Sequence, residues 1–189
     1  QVPAEQPKLI VFESVYSMSG TIAPVNAIIA LARKYNALTY VDEVHAVGLY
    51  GKTGAGILEQ ENVQSSIDIV NGTLSKAIGV FGGYIAASSV LIDFIRSFGR
   101  GFIFTTSLPP AICAAANTSI QLIQREEQRR RQFFSNVAYL RQSLYENGVD
   151  FKLNPSHITI IPVAGADRCR ELARQLLEKQ GIYLQPINS

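Results

Sequence analysis

The chain has 189 residues, of which 47% are hydrophobic and 17% charged, with a formal net charge of +2 at pH 7. This composition excludes intrinsic disorder, and the near-neutral charge argues against a dedicated nucleic-acid binder. Each apolar stretch is broken well short of the ~20 residues that span a bilayer, and residues 1–8 are polar and Pro-rich, unlike a signal peptide. Cys113 and Cys169 form neither a disulfide framework nor a zinc motif, which favours a reducing compartment.

Strand-like and helix-like patterns alternate in the first part of the chain. The predicted strands cover residues 8–12, 38–41, 67–70 and 83–87, and the predicted helices cover residues 23–35 and 90–98. Such alternation predicts an α/β fold with a largely parallel sheet covered by helices. In a sheet of this kind the active residues are expected at the carboxyl ends of the strands.

The second part of the chain has a different rhythm. Residues 101–104 are predicted to be extended, and Pro109 and Pro110 open a long helical region that ends near the Asn147-Gly148 stop signal. Within that region the cluster of arginines at 129–131 is expected to form a solvated helix face. The last segment is predicted as a strand at 157–163, a helix at 167–179 and a strand at 182–184.

These patterns suggest three parts. Residues 1–110 are expected to form part of a large domain, and residues 111–147 a bridging helical region. Residues 148–189 are expected to begin a small α/β domain. His157, at the start of its predicted strand, is interpreted as a structural histidine near a domain junction.

The residues that could catalyse a reaction or bind a ligand follow the ends of two predicted strands. Asp42, Glu43 and His45 directly follow the strand at 38–41, and Lys76 follows the next strand among small residues and glycines. A lysine buried in such a pocket loses its charge more easily, because burial disfavours the ammonium form, and a neutral amine is what Schiff-base chemistry needs. The hydroxyls of Thr73 and Ser75 could bind a phosphate. So could those of Thr105, Thr106 and Ser107.

A pyridoxal phosphate site needs a lysine for the aldehyde, a carboxylate for the pyridine nitrogen, a partner for the ring hydroxyl and a phosphate cup. Lys76, Asp42, His45 and Thr73 can fill these roles in kind. Each residue also has a structural interpretation: Asp42 as a cap of the following turn, His45 as a core histidine and Lys76 as a surface lysine. Their joint placement at strand ends favours the site.

A competing motif lies in the same region. Residues 46–53, AVGLYGKT, match a loosened phosphate-binding loop with Ala in the place of the first Gly. Such a loop follows a strand and opens a helix at its Lys-Thr pair. Here Lys52 and Thr53 run into Gly-Ala-Gly, which starts a helix badly, so a nucleotide triphosphate site is disfavoured.

Several long motifs carry a resemblance to a known enzyme family. They are VDEVHAVGLYGKTGAGI at 41–57, GTLSKAIGVFGGYIAAS at 72–88, GFIFTTSLPP at 101–110, FESVYSMSGTIAP at 12–24, NPSHI at 154–158 and GIYLQPIN at 181–188. In this order they resemble the α-oxoamine synthases, a group of pyridoxal-phosphate enzymes with the aspartate-aminotransferase type of fold. The motif sequences are most similar to those of the 5-aminolevulinate synthase branch, and the resemblance covers nearly the whole chain.

The resemblance implies a role for each matching residue. Lys76 would bind the cofactor covalently and later remove a proton from glycine, and Asp42 would pair with the pyridinium nitrogen. His45 would hydrogen-bond the ring hydroxyl, Thr73 would hold the phosphate, and Ser17 matches a serine near the cofactor.

The resemblance also implies partners. Thr105 and Thr106 would reach the phosphate of the neighbouring subunit's cofactor in a homodimer. The implied reaction condenses glycine with succinyl-CoA to 5-aminolevulinate, CoA and carbon dioxide, in the mitochondrial matrix of a eukaryote or the cytoplasm of a bacterium. Another α-oxoamine synthase, such as 8-amino-7-oxononanoate synthase or glycine C-acetyltransferase, is the alternative, as is a non-catalytic dimerisation module.

The resemblance has departures at both ends. Family members are much longer, and the stretch they carry ahead of the position of Gln1 contributes to phosphate and substrate binding. Asn188-Ser189 stands in place of the more usual Asn-Tyr, just before the residues that contact substrate. We therefore expect little turnover from these 189 residues alone.

Overall fold

The computed structural model of the chain describes residue 3 and residues 5–187, so the Asn188-Ser189 departure lies outside the described residues. Four strands are present in this part of the chain: β1 Lys8–Glu13, β2 Ala37–Asp42, β3 Ile69–Thr73 and β4 Gly83–Ala87. The helices are α1 Val25–Lys34, α2 Ile57–Gln60, α3 Ser89–Phe98, α4 Arg100–Ile103, α5 Pro110–Arg125, α6 Glu127–Glu146 and α7 Ala166–Gln180. A short 3-10 turn covers Gln64–Ser66. None of the helices between residues 5 and 187 combines the length and apolar character needed to cross a membrane.

The strands form one sheet in the order β1-β2-β3-β4. The first three strands are parallel, which confirms the predicted α/β fold with a mainly parallel sheet. β4 pairs antiparallel with β3, because the loop between them is short and contains no crossover helix. The register places Glu13, Asp42 and Asn71 side by side, so the carboxyl ends of the parallel strands share one edge.

The main core lies on one face of this sheet. α1 packs Val25 and Ile29 against Phe12 of β1 and Val41 of β2. Burial of an apolar side chain of this size contributes about 1.5–3 kcal/mol, so these contacts hold α1 on the sheet. On the opposite face Leu9, Val11 and Leu38 are at least half exposed. Among the described residues the helical cover of β1 and β2 therefore lies on one face of the sheet.

The segment predicted to be extended at 101–104 is instead largely the short helix α4. The amides of Phe102 and Ile103 donate to the carbonyl of Gly99, and the amide of Phe104 donates to that of Arg100. This segment has no neighbouring strand among the described residues, so it satisfies its backbone groups internally.

The long helical region is two helices, α5 and α6, which meet at Glu126. The expectation of a solvated arginine face is correct for Arg129 and Arg131, which pair with Glu126 and Glu127 at the surface. It is wrong for Arg130, which is only 7% exposed. The Arg130 guanidinium turns inward and donates to the carbonyls of Ile123 and Lys52.

The final segment forms its predicted helix, α7, but not its predicted strands. An isolated bridge between Lys152 and Ile160 is its β pairing in the described residues, and residues 182–184 have no ladder. Arg141 of α6 explains part of this difference. Its guanidinium donates hydrogen bonds to the carbonyls of Ser156 at 2.7 Å and Ile158 at 3.0 Å. Carbonyls committed to a side chain are not available to pair with another strand.

Candidate active site

Asp42 lies at the shared edge of the sheet, as the last residue of β2, between Glu13 and Asn71. Its Oδ1 atom accepts a hydrogen bond from the amide of Val44 at 2.8 Å, so Asp42 does cap the following turn. Within the described part of the chain, Oδ2 accepts no hydrogen bond. The carboxylate is thus held through one oxygen while the other remains available to a ligand.

His45 lies in the turn that follows Asp42 and is half-buried. Burial lowers the pKa of its imidazole, and the positive charge of Lys76 lowers it further, while the charges of Glu13 and Asp42 oppose the shift. Glu13 and Asp42 are neighbours in the strand register, and the effects of both carboxylates and of Lys76 on the pKa of His45 indicate that these side chains lie in the same region of the sheet edge. A neutral imidazole is the form favoured at pH 7, and it can both donate and accept a hydrogen bond.

Thr73 closes β3 at the same edge. Its Oγ1 atom lies 2.8 Å from Oγ of Ser75, accepts the Ser75 amide at 3.2 Å and reaches the carbonyl of Gly82 at 3.2 Å. These contacts tie together the two ends of the loop that carries Lys76. The two hydroxyls lie side by side, as a phosphate cup requires.

Lys76 is exposed, and the predicted enclosed, glycine-lined pocket is absent from the described residues. Leu74 and Ile78 are buried on either side and anchor the loop in a small apolar cluster. The turn between these anchors, with Lys76 at its centre, therefore projects outward. Its amine can be reached from solvent, and the burial argument for a neutral lysine does not apply in this structure.

Gly48 brings the Asp42–His45 turn against the Lys76 turn. Its φ is +88°, and a Cβ atom built there would lie 2.2 Å from Cβ of Ala77. A side chain would push the two loops apart and would also be strained at this φ. Glycine at this position thus sets the separation between the two halves of the site.

The remaining predicted site residues divide into two groups. Ser17 lies at the same edge, and its amide donates to Oε2 of Glu13 at 2.9 Å. Thr105 and Thr106 lie between α4 and α5, exposed, and form no hydrogen bond within residues 5–187. The structure therefore brings Ser17 to the site, whereas the exposed threonines are expected to act on a second copy of the chain.

The competing phosphate loop is already filled by a side chain of this chain. The Glu59 carboxylate accepts the Thr53 amide at 3.0 and 3.1 Å, the Thr53 hydroxyl at 2.8 Å and the Ala55 amide at 3.0 Å. A phosphate-binding loop would open a helix at Lys52-Thr53, but the next helix begins only at Ile57 and has four residues. The amides of Thr53 and Ala55 are thus occupied by Glu59, and the loop lacks the helix at Lys52-Thr53 that a nucleotide triphosphate site needs.

Glu43 is the residue whose importance the sequence interpretation missed. It is fully buried, and its carboxylate accepts the Ser14 hydroxyl at 2.5 Å and the Leu58 amide at 2.7 Å. Burial raises the pKa of this carboxyl, against the opposing effect of these hydrogen bonds. A signal was present, because Thr39, Val41 and Glu43 alternate along one strand and its continuation and so face the same core.

His157 has the structural surroundings expected for it. Its amide donates to the Tyr50 hydroxyl at 3.1 Å, and its Nδ1 atom lies 3.1 Å from that oxygen. The ring also packs edge-on against Phe133. Burial lowers the pKa of His157 to about 4, and the positive charges of His45 and Arg141 contribute.

The donor set at this edge fits pyridoxal phosphate. It offers a reachable lysine, a carboxylate with one oxygen available, an imidazole neutral at pH 7 and a pair of hydroxyls. No three His, Cys, Asp or Glu side chains converge as a metal site in the part of the chain that the structure describes.

Several curated relatives of the chain are named 5-aminolevulinate synthase. The chain is 50% identical to the 5-aminolevulinate synthase of Rhizobium meliloti (strain 1021) over 96% of its own length and 45% of the relative's. It is 50% identical to the erythroid-specific, mitochondrial 5-aminolevulinate synthase of Danio rerio, over 96% of its own length and 32% of that relative's. The chain thus spans less than half the length of these curated relatives.

Solved structures agree on the fold. Serine palmitoyltransferase from S. paucimobilis with a bound PLP-myriocin adduct matches 98% of this chain and 48% of its own, with 32% identity and a TM-score of 0.90. The 8-amino-7-oxononanoate synthase of Francisella tularensis matches 92% of this chain and 52% of its own, with 25% identity and a TM-score of 0.74. The family model for aminotransferase class I and II matches residues 1–189. This chain belongs to the aminotransferase class I and II family.

Proposed function

We propose that this chain carries the cofactor-binding part of a pyridoxal-phosphate-dependent 5-aminolevulinate synthase. Such an enzyme condenses glycine with succinyl-CoA and releases 5-aminolevulinate, CoA and carbon dioxide. The convergence of Asp42, His45 and Lys76 at one edge of the sheet is the observation that carries the proposal. The 50% identity to bacterial synthases over nearly the whole chain supports it.

Each residue at the carboxyl edge of the sheet is assigned a different part of the cofactor. Lys76 would bind the aldehyde carbon through Nζ, the available Oδ2 of Asp42 would accept the ring N–H, and His45 would hydrogen-bond the ring hydroxyl. Thr73, with Ser75 beside it, would hold the phosphate, and Ser17 would lie near the ring. Bound pyridoxal phosphate supplies an electron-accepting ring that stabilises negative charge at the α-carbon of an amino acid.

Lys76 then has a second task. When its Nζ amine is not bound to the cofactor, Lys76 would be the base that removes a proton from the α-carbon of glycine. The carboxylate of Asp42 would keep the ring nitrogen protonated, because a negative charge next to that N–H favours the protonated form. Asp42 therefore contributes to the acidity of the proton that Lys76 removes.

The site is proposed to be shared between two copies of the chain. Thr105 and Thr106 are exposed and lie between two helices, where a second copy could receive them. In a homodimer their hydroxyls would reach the phosphate held by the partner. We also propose an intracellular location, the mitochondrial matrix in a eukaryote and the cytoplasm in a bacterium, in line with the naming of the relatives.

A second candidate is another acyltransferase of the same kind. The structural likeness to serine palmitoyltransferase and to 8-amino-7-oxononanoate synthase favours it. The cofactor residues would keep the same roles, and only the acyl-CoA would differ. Because little turnover is expected from these 189 residues alone, the candidates are separated by which of succinyl-CoA, acetyl-CoA or palmitoyl-CoA, with glycine or serine, gives the larger residual release of CoA.

Cofactor binding can be tested directly by titrating the chain with pyridoxal phosphate and following the visible absorbance of the lysine-bound form. We expect a band that is absent in Lys76→Ala and retained in Lys52→Ala, which removes an exposed lysine from the neighbouring loop. A folded chain without the band would overturn cofactor binding by these residues. A band that survives Lys76→Ala would overturn the assignment of the lysine.

A further inference from the structure

Glu43 is a buried carboxylate that the proposed cofactor chemistry does not use. Its Oε2 atom accepts the Ser14 hydroxyl at 2.5 Å and the Ile57 amide at 3.2 Å, and its Oε1 atom accepts the Leu58 amide at 2.7 Å. No lysine or arginine pairs with it among the described residues. The carboxylate is therefore balanced by one hydroxyl and two backbone amides.

The backbone of Glu43 is held as firmly as its side chain. Its amide donates to the carbonyl of Asn71 at 2.9 Å, and its carbonyl accepts the amides of Ala46 and Val47 at 2.8 and 2.9 Å. These bonds form the turn that carries His45. Glu43 is thus fixed to the neighbouring strand, to the end of β1 through Ser14 and to the start of α2.

Gly56 allows α2 to approach this carboxylate. Its φ is +115°, and a Cβ atom built there would lie 2.7 Å from the carboxyl carbon of Glu43. The close passage brings the first amides of the helix to the two oxygens. The same geometry would not form around a side chain at position 56.

Burial of a carboxylate without a cation is costly, and an apolar residue would fill the same space at no electrostatic cost. What an apolar residue could not do is bind three segments in one fixed arrangement. Asp42 precedes Glu43, and the amide that holds Asp42 Oδ1 belongs to Val44, the residue that follows it. Movement of the Glu43 backbone would therefore reorient the Asp42 carboxylate directly.

We propose that Glu43 is a positioning residue of the cofactor site, which fixes the turn that presents Asp42 and His45 to the ring. This inference rests on the proposed function. It assigns Glu43 no contact with the cofactor or the substrate. Its effect passes through the orientation of the two neighbouring side chains.

The test compares Glu43→Gln with a matched control, Asp68→Asn. Asp68 also ties a strand to its neighbour through a hydroxyl and an amide, both from Thr39, at 2.8 Å each, but at the opposite end of the sheet. Each variant is measured for thermal unfolding, for affinity for pyridoxal phosphate and for the circular dichroism of the bound cofactor. The imidazole signals of His45 are recorded by NMR without cofactor.

We expect Glu43→Gln to weaken cofactor affinity by roughly tenfold, the lower end of the loss that metal sites show when a group orienting a ligand is removed. The cofactor dichroism and the His45 signals should change as well, whereas Asp68→Asn should lower only the thermal midpoint. Wild-type affinity and His45 signals in a folded Glu43→Gln chain would overturn the proposal, as would equal effects of the two variants.

Two further outcomes are informative. If the unmodified chain binds no pyridoxal phosphate, the proposed cofactor binding fails, but the His45 signals of the cofactor-free chain still decide the role of Glu43. If Glu43→Gln does not fold, Ser14→Ala carries the test, because it removes one of the three donors and leaves the carboxylate in place. We expect a change in the same direction, and unaltered His45 signals in a folded Ser14→Ala chain would contradict the proposal.

Discussion

The guanidinium of Arg130 in α6 donates to the backbone carbonyl of Lys52, 78 residues earlier in the chain. The same group also binds the carbonyl of Ile123 at the end of α5. One buried side chain thus connects the break between two long helices to the loop that follows the candidate site. This connection makes Arg130 a structural residue within a row of three arginines.

Replacing Arg130 with Met should destabilise the chain, because it leaves the carbonyls of Lys52 and Ile123 without their donor. We expect a loss of about 2–3 kcal/mol in the free energy of unfolding, the cost of removing a charged hydrogen-bond partner from a buried site. Arg129→Met is the control, since Arg129 is exposed and pairs only with Glu126, and it should have no measurable effect. Denaturant titration of both variants measures this difference, and equal stability would contradict it.

Tyr50→Phe should destabilise the chain, because it removes the hydrogen bonds between the Tyr50 hydroxyl and His157. The variant removes the oxygen that accepts the His157 amide and faces its Nδ1 atom, while the ring remains. We expect a loss of about 1 kcal/mol, the net value of a buried hydrogen bond. Tyr139→Phe, at a position 76% exposed, serves as the control and should leave unfolding unchanged. A Tyr50→Phe chain as stable as the wild type would count against this contact.

The stability of the chain should depend on pH through His157. Its pKa is about 4 in the folded protein, against an ordinary value of 6.5, so between these values the unfolded chain binds a proton that the folded chain does not. Stability should therefore rise with pH across this window and fall on acidification from pH 6.5 towards pH 4, by about 2–3 kcal/mol from this group. Unfolding measured at intervals across the window should show a shallower slope for His157→Asn. An unchanged slope would contradict the assignment.

Asp42→Asn should weaken cofactor binding without unfolding the chain. Asparagine keeps an oxygen for the Val44 amide but loses the charge that the ring N–H requires. We expect affinity for pyridoxal phosphate to fall by about tenfold or more, the value of a hydrogen bond to a charged group. Asp93→Asn, on the exposed surface of α3, controls for the loss of a charge and should bind as the wild type does. Equal affinities would remove Asp42 from the site.

The fold was largely predictable from local patterns, because each parallel strand carries its own β-forming run and ends at a polar residue. The joint placement of Asp42, His45 and Lys76 follows from that topology alone. The helix at 100–103 was not predictable in the same way, because an apolar aromatic run suits a strand equally well. What favours the helix is that no strand lies beside this run among residues 5–187.

The supporting contacts were harder to predict because their partners are distant in the sequence. Arg130 is one of three consecutive arginines, and only the position of the Lys52 carbonyl distinguishes it from its neighbours. Glu43 could have been found from the strand alternation, but its role as an acceptor depends on α2. This helix can approach the Glu43 carboxylate only because Gly56 has no side chain. The exposure of Lys76 depends on the burial of Leu74 and Ile78 on either side of it, which the small residues around the lysine do not reveal.

The central claim is that Lys76 is the residue that binds pyridoxal phosphate. The most direct measurement is to load the chain with the cofactor, reduce with borohydride, digest and locate the modified lysine by mass spectrometry. The account predicts that the label is on Lys76, and that Lys76→Ala yields an unlabelled chain of normal fold. Labelling at another lysine, or equal labelling in Lys76→Ala, would contradict it.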